Sequence, residues 1–198
     1  MRIIVLSKAP VPGKVKTRLL PKFTAEQACE LHQKMVVKVL EKALLVSADI
    51  WLAVDNPLHP FFLEATKGSS IRLINQGQGD LGARLIHLME QSFAKDCESV
   101  MFLGTDSPHV STERYLQACS HSQQHDVVVG AVEDGGYDLI LIKQPHVGIF
   151  QSITWGSSTV LNETLMLCKQ FDLSVSILTE SFDLDRPEDL ERAPLHSW

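Results

Sequence analysis

Across 198 residues the chain has no C-x-x-C pair; its four cysteines, Cys29, Cys97, Cys119 and Cys168, lie far apart. That excludes a zinc ribbon and a thioredoxin-like redox motif, and it reads the thiols as reduced and mostly buried. No H-E-x-x-H and no G-x-S-x-G motif occurs, which removes two common hydrolase routes. No apolar stretch is long enough to span a bilayer. The opening Met1-Arg-Ile-Ile-Val-Leu run is too short for a signal peptide, so the cytoplasm is the expected location. Nor is there an excess of positive charge: the formal net charge is −6. A surface of that sign is not built to coat nucleic acid or an anionic membrane, so neither is expected as a partner.

What is there is a globular composition, 44% hydrophobic and 21% charged, in a length that suits one domain over residues 1–198. Apolar runs predict strands at 2–6, 49–54, 71–75, 99–103, 126–132, 137–142 and 174–178. Between them, helical patterns cover 24–45, 57–66, 80–93 and 112–120. A further helix runs from Ser157 or Ser158 to 169, and Pro187 opens a short last one. Thr24-Ala-Glu-Gln27 reads as a capping box and Asp80 as an N-cap. Strands alternating with helices predict a three-layer α/β/α, Rossmann-like fold with a mostly parallel sheet. The Asp134-Gly-Gly136 turn predicts one hairpin, which makes the sheet mixed. In such sheets ligands bind beyond the carboxyl ends of the strands, so the loops there carry the candidates.

The loop after the first strand is Lys8-Ala-Pro-Val-Pro-Gly-Lys-Val-Lys-Thr-Arg-Leu19. Lys8, Lys14, Lys16 and Arg18 make it a local positive patch in an acidic chain. Arginine offers a planar fork of donors and lysine a mobile point charge, both suited to phosphate. Gly13 allows close backbone approach, Pro12 shapes the crossover, and Thr17 adds a hydroxyl. The segment is not a P-loop: Val15 follows Lys14 where Ser or Thr is needed, and Lys8 stands where Gly is needed.

Gly77-Gln-Gly-Asp-Leu-Gly82 matches G-x-G-x-x-G between a strand and a helix, but after two strand–helix units rather than at the first. Two readings stand beside a dinucleotide fingerprint. One is a tight turn with Asp80 as cap. The other is a loop lying against the base or ribose of a mononucleotide, with Arg84 one turn on. The nucleotide-binding set expected from these loops is Lys8, Pro12, Gly13, Lys16, Thr17, Arg18, Gly79, Asp80, Gly82, Arg84 and Thr105.

Four acidic residues complete the picture. Asp106, in Leu103-Gly-Thr-Asp-Ser-Pro108, lies just past a buried strand, where a carboxylate can hold a divalent ion against phosphate. Asp183 and Asp185 alternate in an extended segment and fall on one side; either can complete the ion's shell. Asp185 with Pro187 and Glu188 also reads as a helix N-cap. Asp134, followed by Gly135, Gly136 and Tyr137, can accept from a sugar hydroxyl or act as general base, or it can simply close a β-turn. Trp155 offers a stacking face for the acceptor or a core side chain.

These segments, in order across nearly the whole chain, resemble the DUF2064 family of small bacterial proteins, also described as arsenosugar-biosynthesis glycosyltransferase-like. The matching elements are Lys8-x-Pro-x-Pro-Gly-x-x-Lys-Thr-Arg-Leu19, Gln78-Gly-Asp-Leu-Gly82 with Arg84, Gly104-Thr-Asp-Ser-Pro108, Asp134-Gly-Gly-Tyr137, and Asp183-x-Asp-x-Pro-Glu-Asp-Leu190. The resemblance implies the GT-A fold of nucleotide-diphospho-sugar transferases. It implies phosphate contacts for Lys16 and Arg18, Mg²⁺ or Mn²⁺ on Asp106, and Asp183 or Asp185 completing the metal site. A nucleotide or nucleotide sugar and a small acceptor are the expected partners of a monomer or homodimer. Nucleotidyltransferases share that fold, so glycosyl transfer and nucleotidyl transfer both stand. Ala83, Gly156 and Arg186 depart from the family pattern, and Arg186 puts a cation beside the expected metal.

Overall fold

The computed structural model describes residues 1–194. Seven strands form one sheet: β1 (Arg2–Ser7), β2 (Ile50–Val54), β3 (Arg72–Asn75), β4 (Val100–Leu103), β5 (Val127–Val132), β6 (Tyr137–Ile142) and β7 (Val175–Ser181). Their order is β3-β2-β1-β4-β6-β5-β7. Every pairing is parallel except those of β6, which runs antiparallel to β4 and to β5. The mixed sheet and its single hairpin are therefore as expected. The helices are α1 (Ala25–Leu44), α2 (Pro60–Ala65), α3 (Leu81–Phe93), α4 (Thr112–His121), α5 (Val160–Gln170) and α6 (Asp189–Arg192).

Central strands covered on both faces read as unbroken apolar runs. Ile50-Trp-Leu-Ala-Val54 and Val100-Met-Phe-Leu103 are buried throughout. Alternate residues of β1 serve opposite layers. Ile3 and Val5 pack with Val36, Val39 and Leu40 of α1, Phe62 of α2, and Tyr115 and Ala118 of α4. Ile4 packs with Leu85, Leu88 and Met89 of α3 and Cys168 of α5. Helices thus cover both faces, giving the expected three-layer α/β/α fold.

Local chemistry sets the helix starts. Thr24 and Gln27 form the capping box of α1, and the Asp80 carboxylate accepts from the Ala83 amide at 2.8 Å to cap α3. Two ends differ from expectation. α5 begins at Val160, after Thr159 rather than after Ser157 or Ser158. Glu163 reaches back to Thr154 N at 2.6 Å and to Thr159 Oγ1 at 2.7 Å, so a residue inside the helix satisfies its entry. Ahead of α6, Asp189 accepts from the amides of Asp185 at 3.0 Å and Arg186 at 2.7 Å. The backbone there is satisfied by Asp189, which leaves the Asp185 carboxylate free for other partners.

A third, smaller cluster positions the site. Leu19, Ala28, Leu31, Met35, Leu184 and Ala193 bury one another. It joins the 3₁₀ turn Thr17–Leu19 to α1 and to the segment after β7. Each fully buried leucine contributes about 1.5–3 kcal/mol, so the basic loop and the C-terminal carboxylates are fastened to the same support.

Candidate active site

The strand order reverses between β1 and β4, and the loops leaving their carboxyl ends meet there. The basic loop is anchored at its root. Ala9 N donates to Asp55 Oδ1 at 2.7 Å, and the Lys8 carbonyl accepts from His32 Nε2 at 3.0 Å. Burial holds His32 below the usual imidazole range, which suits a neutral ring with a proton on Nε2.

Further along, Gly13 at φ +75° makes the turn, and Lys16 at φ +48° enters the left-handed region, which costs a non-glycine residue about 1–2 kcal/mol. Contacts at the end of the side chain offset this. Lys16 Nζ lies 2.8 Å from Asp106 Oδ1, 2.9 Å from Asp185 Oδ1 and 2.8 Å from the Leu184 carbonyl. Its side chain is 4% exposed. Burial alone would lower the Lys16 pKa, but Asp106 and Asp185 carry it above the ordinary lysine value. Arg18 Nη1 takes the outer oxygen, Asp185 Oδ2, at 2.7 Å.

The acidic side is held as firmly. Asp106 leaves β4 in a turn whose floor is Lys42, which donates to the carbonyls of Pro108 and Val110. Burial would raise the Asp106 pKa, but the Lys16 ammonium outweighs it and holds the carboxylate below its usual range. Asp183 takes another course: its Oδ1 lies 2.5 Å from Ser107 Oγ. Burial, then the Asp106 charge, push Asp183 up to about 7.

The basic loop, Asp106 and Asp185 border a cavity of about 390 Å³, whose lining does not include Asp183; the volume is within the size range of small-molecule sites. Lys8, Lys16, Thr17, Arg18, Arg84, Thr105, Asp106 and Asp185 line it. Arg84 Nε donates to the Gly79 carbonyl at 3.1 Å. Gln76, buried just after β3, has two donors around its amide, Arg84 Nη1 at 3.2 Å and Asp55 N at 3.1 Å, which assigns the amide oxygen to face them.

Other expected residues lie off this wall. Pro12 and Gly13 form the exposed crest of the loop. Asp80 is engaged as the α3 cap. Gly82 faces inward, where a Cβ would come 2.4 Å from the Phe150 carbonyl and 2.7 Å from Trp155 Nε1. Trp155 in turn meets Tyr137 edge-on at 6.4 Å. Asp134 is exposed and accepts from Gly136 N at 2.9 Å. A Cβ on Gly135 would lie 2.0 Å from the Ser158 carbonyl, so that turn is pressed against the entry of α5. Asp134 nonetheless adds to the upward shift of Asp183.

The site also contains residues that carry no local sequence signal: His32, Asp55, Gln76, Lys42 and Ser107. Each acts on a partner distant in the chain. The same holds for the buried pair Arg114–Asp138, 2.8 Å and 3.1 Å apart across two contacts. His121, which ends α4, and His125, four residues beyond it, have separate partners: Ser176 Oγ for the first and the His121 carbonyl for the second.

Among the described residues, no three His, Cys, Asp or Glu side chains are grouped to hold a metal ion. Asp106 and Asp185 do offer hard oxygen donors suited to Mg²⁺ or Mn²⁺, and they converge on one point, occupied by Lys16 Nζ. Asp183 is engaged by Ser107 instead. No described helix is long and apolar enough to cross a membrane.

Residues 38–157 match the sequence profile of a family described as "Uncharacterized protein conserved in bacteria (DUF2064)". No curated protein matches the chain. Among solved structures, a candidate nucleotide-diphospho-sugar transferase from Desulfovibrio desulfuricans G20 is 28% identical, with TM-score 0.86 over 93% of this chain and 82% of that one. A 4-diphosphocytidyl-2C-methyl-D-erythritol synthase from Anaerococcus prevotii is 13% identical, with TM-score 0.63 over 99% and 95% of the two chains. CMP:2-keto-3-deoxy-manno-octonic acid synthetase, solved with CTP, is 13% identical, with TM-score 0.58 over 96% and 95%. At that identity the last two share the fold with this chain.

Proposed function

The chain belongs to the DUF2064 family, and from that premise we propose that it is a transferase using a nucleotide donor, moving a sugar from a nucleoside-diphosphate sugar to a small acceptor. One observation carries this reading. A cavity at the β1–β4 reversal has Lys8, Lys16, Thr17, Arg18 and Arg84 on its walls and the carboxylates of Asp106 and Asp185 at its base. Cations and hard oxygen donors lining one cavity suit a diphosphate bridged to a divalent ion. The likeness to the Desulfovibrio protein supports the choice of donor.

The chain's own groups do the following in this reading. Arg18 and Thr17, exposed at the mouth, receive the diphosphate. Lys16 offsets the charge that develops on the leaving nucleotide. Asp106 and Asp185 would hold Mg²⁺ or Mn²⁺, which supplies further positive charge to the leaving group when bound. Asp134, exposed on the hairpin turn, orients the acceptor hydroxyl and takes its proton. Gln76 and Arg84 close the end of the cavity next to β3.

A second reading is favoured by a specific observation: the CTP-bound synthetase and the erythritol synthase share the fold over almost their whole length. In that reading the same basic loop binds a triphosphate, and a phosphorylated acceptor displaces pyrophosphate.

The test is a thermal-shift screen of nucleoside diphosphates, triphosphates and nucleotide sugars with and without Mn²⁺, followed by product analysis. Ligand at a hundred times its Kd adds about 2.7 kcal/mol of stability. Release of a nucleoside diphosphate supports glycosyl transfer, and release of pyrophosphate supports the second reading. If no nucleotide raises the melting temperature and none is turned over, both are wrong.

A further inference from the structure

Lys16 combines three features found together nowhere else in the basic loop. Its backbone is left-handed at φ +48°. Its side chain is 4% exposed. All three ammonium protons have acceptors: Asp106 Oδ1, Asp185 Oδ1 and the Leu184 carbonyl. Two of these acceptors are the hard oxygens best suited to a divalent ion, and they meet at the point where Nζ sits. Two cations cannot share that point, because like charges about 3 Å apart inside a protein repel strongly.

We propose that Lys16 is a tethered cation that holds the divalent-ion position between Asp106 and Asp185 while the site is free of nucleotide. The inference rests on the reading of this cavity as a nucleotide–metal site and deepens it. An ion gains both carboxylates only when the ammonium leaves them, and a phosphate in the cavity is the acceptor that can draw it away. Arg18 does not serve in this way, because it reaches only Asp185 Oδ2 and is 60% exposed. The loop and the carboxylates stay aligned through the exchange, because Leu19 and Leu184 remain buried in one cluster. The device makes metal uptake depend on nucleotide and keeps two adjacent carboxylates neutralised in the free protein.

The experiment uses the full chain and Mn²⁺ alone, with free Mn²⁺ counted by electron paramagnetic resonance. Lys16→Met keeps the apolar stem and removes the competing charge. It is expected to bind one Mn²⁺ at least about tenfold more tightly than wild type. Its melting temperature is expected to rise further on adding Mn²⁺ than that of wild type. Equal Mn²⁺ affinity in the two proteins overturns the proposal. A second variant, Asp185→Asn with Lys16 intact, guards against misfolding of the first. Its nucleotide-free Mn²⁺ isotherm should match wild type, whereas lost Mn²⁺ binding shows Asp185 already open to the ion and also overturns the proposal. No nucleotide enters these measurements, so a failed nucleotide screen leaves them readable.

Discussion

The amide of Leu184 donates to the carbonyl of Asp106 at 2.7 Å, joining the segment after β7 to the turn after β4. That one backbone bond sets two carboxylates side by side, because Asp185 follows Leu184 directly. The Leu184 side chain is fully buried against Leu19, Leu31 and Met35, so the same residue also fixes the basic loop.

Leu184→Ala therefore disturbs stability and site together. The lost burial and residual cavity cost about 2–5 kcal/mol. Urea unfolding is expected to show that loss, and nucleotide affinity should fall by more than the unfolded fraction explains. Unchanged affinity in the folded variant would detach the leucine from the site.

Arg18→Ala separates binding from folding. The side chain is 60% exposed and its ion pair with Asp185 is screened, so stability should change by less than about 0.5 kcal/mol. Loss of a charged fork facing phosphate should weaken nucleotide binding by about tenfold in isothermal titration. A variant that binds as wild type does would remove Arg18 from the phosphate site.

The Arg114–Asp138 pair gives the opposite pattern. Both side chains are buried, and Arg114 also donates to the carbonyls of Thr179 at 2.6 Å and Ala131 at 3.1 Å, tying α4 to β5, β6 and β7. Arg114→Met leaves Asp138 as an unpaired buried charge and is expected to cost about 3–5 kcal/mol. Changing Asp138→Leu in the same chain should recover much of that loss. A double variant less stable than the single one would contradict this account.

Acid stability should depend on His109. Both ring nitrogens are buried without a hydrogen-bond partner, the ring stacks on Phe182 at 4.1 Å, and burial lowers its pKa to about 4. The folded value lies below the unfolded one near 6.5, so the fold favours the neutral ring. That contribution is complete above pH 6.5 and is lost as pH falls towards 4. His109→Phe should lose less stability than wild type over that window. Parallel pH–stability curves for the two proteins would rule this out.

Two glycines at similar positive φ should respond differently to alanine. Gly156, at φ +81°, has open space around its Cβ position, so Gly156→Ala should cost about 1 kcal/mol of backbone strain. Gly135, at φ +86°, would drive a Cβ to 2.0 Å from the Ser158 carbonyl, so Gly135→Ala adds a clash and should cost at least twice as much. Chemical denaturation of both variants checks the ratio; equal losses would mean the hairpin turn moves freely away from α5.

The sequence by itself determined the elements and the layer architecture. Short unbroken runs such as Ile50–Val54 between turn signals read as strands covered on both faces, and the Thr24 box and Asp80 cap are complete within four residues. It also placed the candidate loops, because in a parallel sheet the strand ends select them. Lys16, Arg18, Asp106 and Asp185 were legible for that reason. Tertiary structure alone decided how they pair. Whether Asp185 capped α6 or faced the cations depended on Asp189 taking the backbone amides. Whether Asp183 stood open depended on Ser107 of another loop. Gln76, His32 and Arg114 gave no local sign, because their partners the Asp55 amide, the Lys8 carbonyl and Asp138 come within reach only when separate loops and layers close. Local sequence specifies propensity, whereas a hydrogen bond or ion pair between distant residues exists only after the chain has paid the entropy of bringing them together.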